Sequence, residues 1–265
     1  MLLLNKPKIG LALGSGASKG LAHLGVLKIL EENNIKPSYI AGSSIGALIG
    51  GLYCCGIDLE MMIKLAKNMK TEIWMDPAVS KKGLLAGKKV EELFRILTKN
   101  KTIEDLEIPI RIVATDIINS RRYIFDKGPL WQAIRASIAI PGIFCPVEID
   151  DLVLVDGGVV DRVPAALVKE MGADIIIAVD VCKGKNNLRP KNLFEIIMQS
   201  IEAMENTLVE NMLTEDFIVI SPIIKDINSL DFTKVDLCIE EGEKAALEAI
   251  PKINKALKDY YGSSA

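Results

Sequence analysis

The sequence predicts a three-layer α/β fold with a mostly parallel central sheet. Two observations carry that expectation. Short apolar runs at residues 8–13, 152–155 and 174–179 lack the alternation of strands with one wet face, as strands covered on both faces do. Helical patterns fall between such runs, the order that βα units produce. Of 265 residues, 49% are hydrophobic and 25% charged, which supplies the apolar material for a core of this size. The chain 1–265 is read as a single domain, because α/β folds of this length commonly form one.

Residues 8–13 make the first strand and end in a Gly-containing loop at 14–20. Leu21, Leu24, Leu27 and Leu30 then recur at helical spacing, giving a helix over 21–33. Residues 38–41 form a second short strand, which turns at Gly42-Ser43-Ser44-Ile45-Gly46 into a small apolar helix over 47–55. The uncharged stretch 37–57 has about the length of a membrane span. Pro37 opens it and Gly42, Ser43 and Ser44 interrupt it, so it is read as strand, turn and buried helix. Residues 58–99 are an insertion-like helical segment, with amphipathic patterns at 58–69 and 88–97 separated by Trp74, Met75, Pro77 and Gly83. A β run follows at 109–115, with 119–125 as its pairing partner; 130–138 is helical and Ile140-Pro141-Gly142 breaks the chain. A helix at 164–171 stops at Gly172 ahead of the run 174–179. The C-terminal part reads as a long helix at about 193–213, a strand at 217–220 and a helix ending near Tyr261.

Several function classes are excluded by composition. A net charge of -3 gives no basic excess for a phosphate backbone, so no nucleic-acid partner is expected. Cys54, Cys55, Cys145, Cys182 and Cys238 form an odd set without C-x-x-C spacing and read as reduced thiols of a cytosolic protein. With His23 as the single histidine and no clustered Cys or His ligands, neither a structural zinc site nor metal chemistry using His is expected. Leu2, Leu3 and Leu4 fall short of the roughly 7 to 15 apolar residues of a secretory signal, so no export is expected.

Gly42-Ser43-Ser44-Ile45-Gly46 fits G-x-S-x-G between a strand and a helix, the setting of a nucleophile elbow. Gly42 and Gly46 permit a sharp turn that lifts the Ser44 hydroxyl clear of the sheet at a helix N-terminus, where negative charge is favoured. The plainer alternative is a small-residue turn capped by Ser43 or Ser44. A serine nucleophile needs a base. His23 falls inside the helix at 21–33, so a carboxylate is the expected base. Asp116, Asp156 and Asp180 all close strand-like runs, where ligands of parallel sheets gather. Position alone does not choose among them, although Gly157 and Gly158 behind Asp156 allow close backbone approach. An ordinary Asp, with a pKa of about 3.9, is too acidic for this work and would need partial burial or strong orientation.

The loop Gly14-Ser15-Gly16-Ala17-Ser18-Lys19-Gly20 offers backbone N–H groups to an anion, either a tetrahedral intermediate or a phosphate. The dinucleotide pattern fails at Lys19, which stands where a third glycine belongs, and no G-K-[ST] occurs here.

Taken together, these residues resemble the patatin-like phospholipase family. Its G-G-G-x-[KR]-G oxyanion loop corresponds to Ser15-Gly16-Ala17-Ser18-Lys19-Gly20, its G-x-S-x-G to Gly42 through Gly46, and its D-G-[GA] to Asp156-Gly157-Gly158. Leu21-Ala22-His23-Leu24-Gly25-Val26-Leu27, Ala136-Ser137-Ile138-Ala139-Ile140-Pro141-Gly142 and Gly172-Ala173-Asp174 also look like bacterial members. The resemblance covers about residues 8–182. It implies a Ser-Asp dyad hydrolysing lipid esters of the phospholipase A or lysophospholipase type, with Ser44 as nucleophile, Asp156 as base and the N–H groups around Gly16 and Ala17 as oxyanion hole. No metal or organic cofactor is implied. Ser15 and Ala17 replace glycines of the family loop, and a left-handed backbone at either would cost about 1 to 2 kcal/mol. Two alternatives stay open: an acyltransferase or thioesterase with the same dyad, and a weakly active anion-binding regulator.

Residues 58–101 hold ten Lys/Arg and six Asp/Glu, with Trp74, Met75, Leu84 and Leu85 nearby. This segment is the expected cover of an acyl chain or peripheral contact with anionic lipid at the inner membrane surface. An ordinary solvated helix pair is the alternative. A cytoplasmic location follows from the cysteines, and the sequence leaves the oligomeric state open.

Overall fold

The computed structural model describes residues 6–263 except 70, 74, 75, 79, 80, 184–188, 226, 229 and 230. Trp74 and Met75 of the insertion therefore lie outside the described residues. The strands are β1 (Ile9–Leu13), β2 (Tyr39–Ser43), β3 (Ile110–Asp116), β4 (Arg121–Phe125), β5 (Val147–Ile149), β6 (Leu152–Asp156), β7 (Ile175–Val179) and β8 (Ile218–Ile220). The helices are α1 (Ala22–Glu32), α2 (Ile45–Cys54), α3 (Leu59–Asn68), α4 (Lys88–Leu97), α5 (Leu130–Ser137), α6 (Ala165–Glu170), α7 (Leu193–Met212) and α8 (Val235–Ser263).

Strands β3, β2, β1, β7 and β8 lie side by side in that order and run parallel. Their side chains alternate between two cores. Leu11, Leu13, Ile40, Ile112 and Ile177 face the larger one, with α1, α2, α5 and α8, whereas Ala12, Ala41, Val113, Ile176 and Ala178 face a smaller one with α6. Both faces are dry, so the strands read as unbroken apolar runs. Each Leu or Ile so buried stabilises the fold by about 1.5 to 3 kcal/mol.

Local chemistry sets the boundaries. Asp58 caps α3 by accepting from the Met61 N–H at 3.1 Å, and Asn192 caps α7 by accepting from the Glu195 N–H at 2.9 Å. Gly172 ends the segment after α6 with φ 94°, a left-handed conformation that glycine adopts without strain.

Three features were not foreseen. The short strand β5 was missed, and part of the loop at 14–20 winds into a 3-10 turn over Ala17–Leu21. The third concerns β6, read as one more central strand of a parallel sheet. It runs antiparallel to β3, as do β4 to β3 and β5 to β6. Because β4 occupies one edge of β3 along Ile112–Asp116, β6 pairs on the other edge, the one β2 occupies lower down. On β3, Val113 faces Ser43 and the next residue, Ala114, faces Asp156. Strands β2 and β6 thus run toward each other along one edge of β3, and their C-terminal ends meet.

Candidate active site

The site forms where those two strand ends meet. After β2 the chain turns at Ser44, with φ 54° and ψ -123°, and enters α2 at once. A serine held there stores about 1 to 3 kcal/mol of backbone strain. The turn is tight because α2 starts against the end of β1. A Cβ on Gly46 would overlap the Leu13 carbonyl and sit 2.8 Å from the Gly14 oxygen. The Ser44 N–H donates to Ser137 Oγ at 2.8 Å, which ties the turn to α5.

Asp156 is held from several sides. Its Oδ2 accepts from Ser44 Oγ at 2.6 Å and its Oδ1 from the Gly158 N–H at 2.8 Å. Its own N–H donates to the Ala139 carbonyl at 3.0 Å, and its carbonyl accepts from Thr115 Oγ1 at 2.7 Å. Burial pushes the carboxyl up to about 7, the Glu205 charge adds to this, and the hydrogen bonds from Ser44 and Gly158 oppose it. Gly157 lies against the Val113 carbonyl and Ser43 Oγ, where a side chain has no room.

The other candidates for the base are occupied elsewhere. Asp116 is a turn residue of the β3–β4 hairpin, accepting from Asn119 Nδ2 at 2.7 Å and Arg121 Nε at 3.1 Å. Asp180 accepts from the Cys182 N–H at 3.1 Å. His23 is fully buried, and desolvation lowers its pKa to about 4, so it is neutral. Its Nε2 lies 2.8 Å from the Gly14 carbonyl, which fixes Nε2 as the protonated nitrogen. His23 therefore braces the loop that precedes α1.

That loop is anchored by the Gly14 N–H to the Val179 carbonyl at 3.1 Å and by the Ser15 N–H to the Arg162 carbonyl at 2.8 Å. Ala17 has φ 48°, so one of the two departures from glycine does fall on a left-handed residue, at about 1 to 2 kcal/mol. Ser15 is outside that region. Ser15, Gly16 and Ala17 line one cavity with Ser44 and Asp156. Gly16 and Ala17 stand at the start of the 3-10 turn, where backbone N–H groups lack intrahelical partners. Ser18, Lys19 and Gly20 shape the loop from behind: Ser18 Oγ donates to the Asn228 carbonyl, Lys19 pairs with Glu202 at 2.6 Å, and Gly20 abuts Ile45.

Sequence reasoning placed the helix α7 along the chain and missed that it borders the site. Met198, Ile201, Glu202 and Glu205 of this helix line the same cavity, whose volume is about 40 Å³. The signal was present in their spacing, since 198, 201, 202 and 205 share one helical face. Ser137 and Arg162 were also missed; each sits in a segment whose sequence suggested no polar role for it. Among the described residues, no group of three or more His, Cys, Asp or Glu is placed to hold a metal ion. A second cavity, of about 70 Å³, lies under the insertion and is lined by Ile45, Leu48, Met62, Leu65 and Phe94 among others, all apolar.

Known proteins resemble this chain in sequence and in fold. The family model of the patatin-like phospholipases matches residues 11–169. The chain is 40% identical over 180 residues to an uncharacterized NTE family protein of Mycobacterium bovis, covering 67% of this chain and 50% of that protein. It is 32% identical over 185 residues to the lysophospholipase NTE1 of Yarrowia lipolytica, covering 68% and 13%. It thus spans half the length of the mycobacterial relative and far less of the fungal one. The crystal structure of VipD from Legionella pneumophila superimposes with a TM-score of 0.60 at 13% identity over 94% of this chain and 67% of that one, a likeness of fold. With the matched segment running from β1 through the elbow and Asp156 to α6, the chain belongs to the patatin-like phospholipase family.

Proposed function

We propose that this chain is a serine lipid acyl hydrolase that cleaves the carboxylic ester of a phospholipid or lysophospholipid with the dyad Ser44 and Asp156. One observation carries the reading: the 2.6 Å hydrogen bond from Ser44 Oγ to Asp156 Oδ2, made by a serine on a strained turn. Ser44 Oγ attacks the ester carbonyl carbon as its proton passes to Asp156. The oxyanion of the tetrahedral intermediate takes the backbone N–H groups of Gly16 and Ala17, and collapse expels the alcohol, which receives the proton from Asp156. Water, deprotonated by Asp156, then attacks the acyl-serine; the acid leaves and Ser44 recovers its proton. A carboxyl with a pKa near 7 suits both proton transfers at neutral pH.

The apolar cavity beneath the insertion begins at Ile45, beside the nucleophile, and supports an acyl-chain site covered by α3 and α4. All five cysteines are free thiols, which supports a cytoplasmic location. No helix among the described residues is long and apolar enough to cross a membrane. The test is release of p-nitrophenol from esters of increasing acyl length. Wild type is expected to turn over with a chain-length optimum, and Ser44→Ala to lose at least about 10³-fold in kcat. Equal turnover by folded Ser44→Ala protein overturns the proposal.

A further inference from the structure

The cavity holding Ser44 and Asp156 measures about 40 Å³. Ser44 and Asp156 are each only 4% exposed, so little of the dyad can be approached by a bulky ester. A lipid ester reaches Ser44 only if the roof moves, and the roof is α7. Its inward face carries Met198, Ile201, Glu202 and Glu205 into the cavity. Polar contacts tie it to the loop and to Arg162: Glu202 to Lys19 at 2.6 Å, Glu205 to Ser15 Oγ at 3.5 Å and to Arg162 Nε at 3.8 Å, and Asn206 to Arg162. Arg162 is fully buried, and its Nε and Nη2 have no hydrogen-bond partner, so the closed position leaves a buried cation incompletely satisfied.

The face of α7 next to the cavity-lining one is unusual in another way. Leu193, Ile196, Ile197, Met204, Leu208 and Met212 recur at three- and four-residue spacing, and all are exposed, Leu193 by 73% and Met204 by 61%. Ser200 and Thr207 fill the stripe between them, and Glu195, Glu202 and Glu205 project off it. The stripe is therefore apolar and uncharged, and its helix carries acidic residues but no Lys or Arg. An anionic surface would be repelled by that helix, whereas a zwitterionic or neutral lipid surface meets an apolar face with no charge to desolvate. On the insertion, by contrast, Lys64, Lys67, Lys82 and Arg95 are paired with Glu60, Asp236, Glu148 and Glu91.

We infer that α7 is the lipid-docking surface of this protein: its outer face inserts into a zwitterionic lipid–water interface, and docking draws its inner face off Ser44. The inference rests on the reading of Ser44 as a lipid esterase, since the lipid is what must reach it. The same helix provides the contact with the interface and the cover of the site, so the protein meets water with its dyad shut and meets lipid with it open.

The test separates docking from catalysis. In a Ser44→Ala background, flotation with phosphatidylcholine vesicles is compared for the intact outer face and for Leu193→Ser/Ile197→Ser/Met204→Ser, whose sites all lie outside the cavity. The intact face is expected to bind at least 10-fold more tightly. With Ser44 present, the triple variant is expected to lose at least 10-fold in turnover of a long-chain ester carried in those vesicles, and to stay within two-fold for soluble p-nitrophenyl acetate. Equal binding by the two faces overturns the inference, as does binding that requires anionic lipid. So does a dimer in sedimentation that the triple variant abolishes, which would make the stripe a contact between copies. Should the triple variant lose soluble-ester turnover as well, Ile196→Ser/Met204→Ser carries the same comparison, and equal vesicle binding there overturns the inference. Absence of esterase activity with vesicle binding intact would instead count against the reading of Ser44.

Discussion

Asp156→Asn is expected to lower kcat/KM for ester hydrolysis by about 10³- to 10⁴-fold and at the same time to make the protein more stable at pH 8. Both effects come from the same buried carboxyl. In the wild type kcat/KM rises with pH through about 7, as Asp156 loses its proton and becomes able to take one from Ser44. Asparagine cannot accept that proton at any pH, so the rising limb disappears with the activity. The stability effect follows from linkage. Asp156 has its pKa raised from 3.8 to about 7 by burial, so between those values the folded protein keeps a proton that the unfolded chain has released. Wild-type stability therefore falls as pH rises through that window and stays low above it. Every tenfold difference in proton affinity between the folded and unfolded chains is worth about 1.4 kcal/mol, so the asparagine variant gains on the order of 2 to 4 kcal/mol at pH 8 and little near pH 4. Calorimetric unfolding at both pH values reads the difference. A variant that is less stable than wild type at pH 8, or that keeps its turnover, contradicts this role for Asp156.

Gly46→Ala is expected to destabilise the fold by about 3 kcal/mol or more, the range of severe overpacking. The added Cβ would overlap the Leu13 carbonyl, and backbone at the end of a buried central strand cannot swing aside as a side chain can. Relief requires α2 to back away from β1, which would carry Ser44 away from Asp156. Gly50→Ala, one helical turn on, is the internal control: its Cβ would meet the methyls Ile40 Cγ2 at 3.1 Å and Leu13 Cδ1 at 3.3 Å, side-chain contacts that yield by a few tenths of an ångström where the Leu13 carbonyl against Gly46 does not. There the better helix propensity of alanine, about 1 kcal/mol over glycine, offsets the crowding. Urea midpoints compare the two. Similar losses for both would show that the close approach at Gly46 is not what shapes the elbow.

Much of the architecture was legible because the strands are short and buried on both faces, so runs such as Ile175–Val179 stand out against the helices around them. The elbow was legible for a related reason: glycines bracket Ser44 where no side chain fits. Choosing Asp156 over Asp116 and Asp180 was not within reach of the residues alone. What distinguishes it is the direction of β6, and strand direction leaves no mark on an apolar run. The rule that ligands gather at the C-terminal ends of parallel strands pointed to the right place for Ser44. It holds for Asp156 only because β6 comes from the opposite side and stops at the level of Ser43. The strain at Ala17 was foreseen as a consequence of losing glycine, whereas the neighbouring Ser15 needed the backbone angles to be cleared. The helix α7 was found in its place along the chain, and its place in space was missed. Acidic residues on one face of an amphipathic helix look like a wet face until Lys19 and Arg162 are seen opposite them.

Treatment with a small alkyl fluorophosphonate, followed by peptide mass spectrometry, reads the nucleophile without relying on the natural substrate. Ser44 Oγ is expected to attack phosphorus and expel fluoride, leaving one phosphonyl adduct on the peptide that carries Ser44. Ser44→Ala protein should carry none, and Asp156→Asn should label at least 10-fold more slowly. An adduct on another residue of active wild-type protein, or esterase turnover that persists once Ser44 is fully labelled, contradicts the dyad.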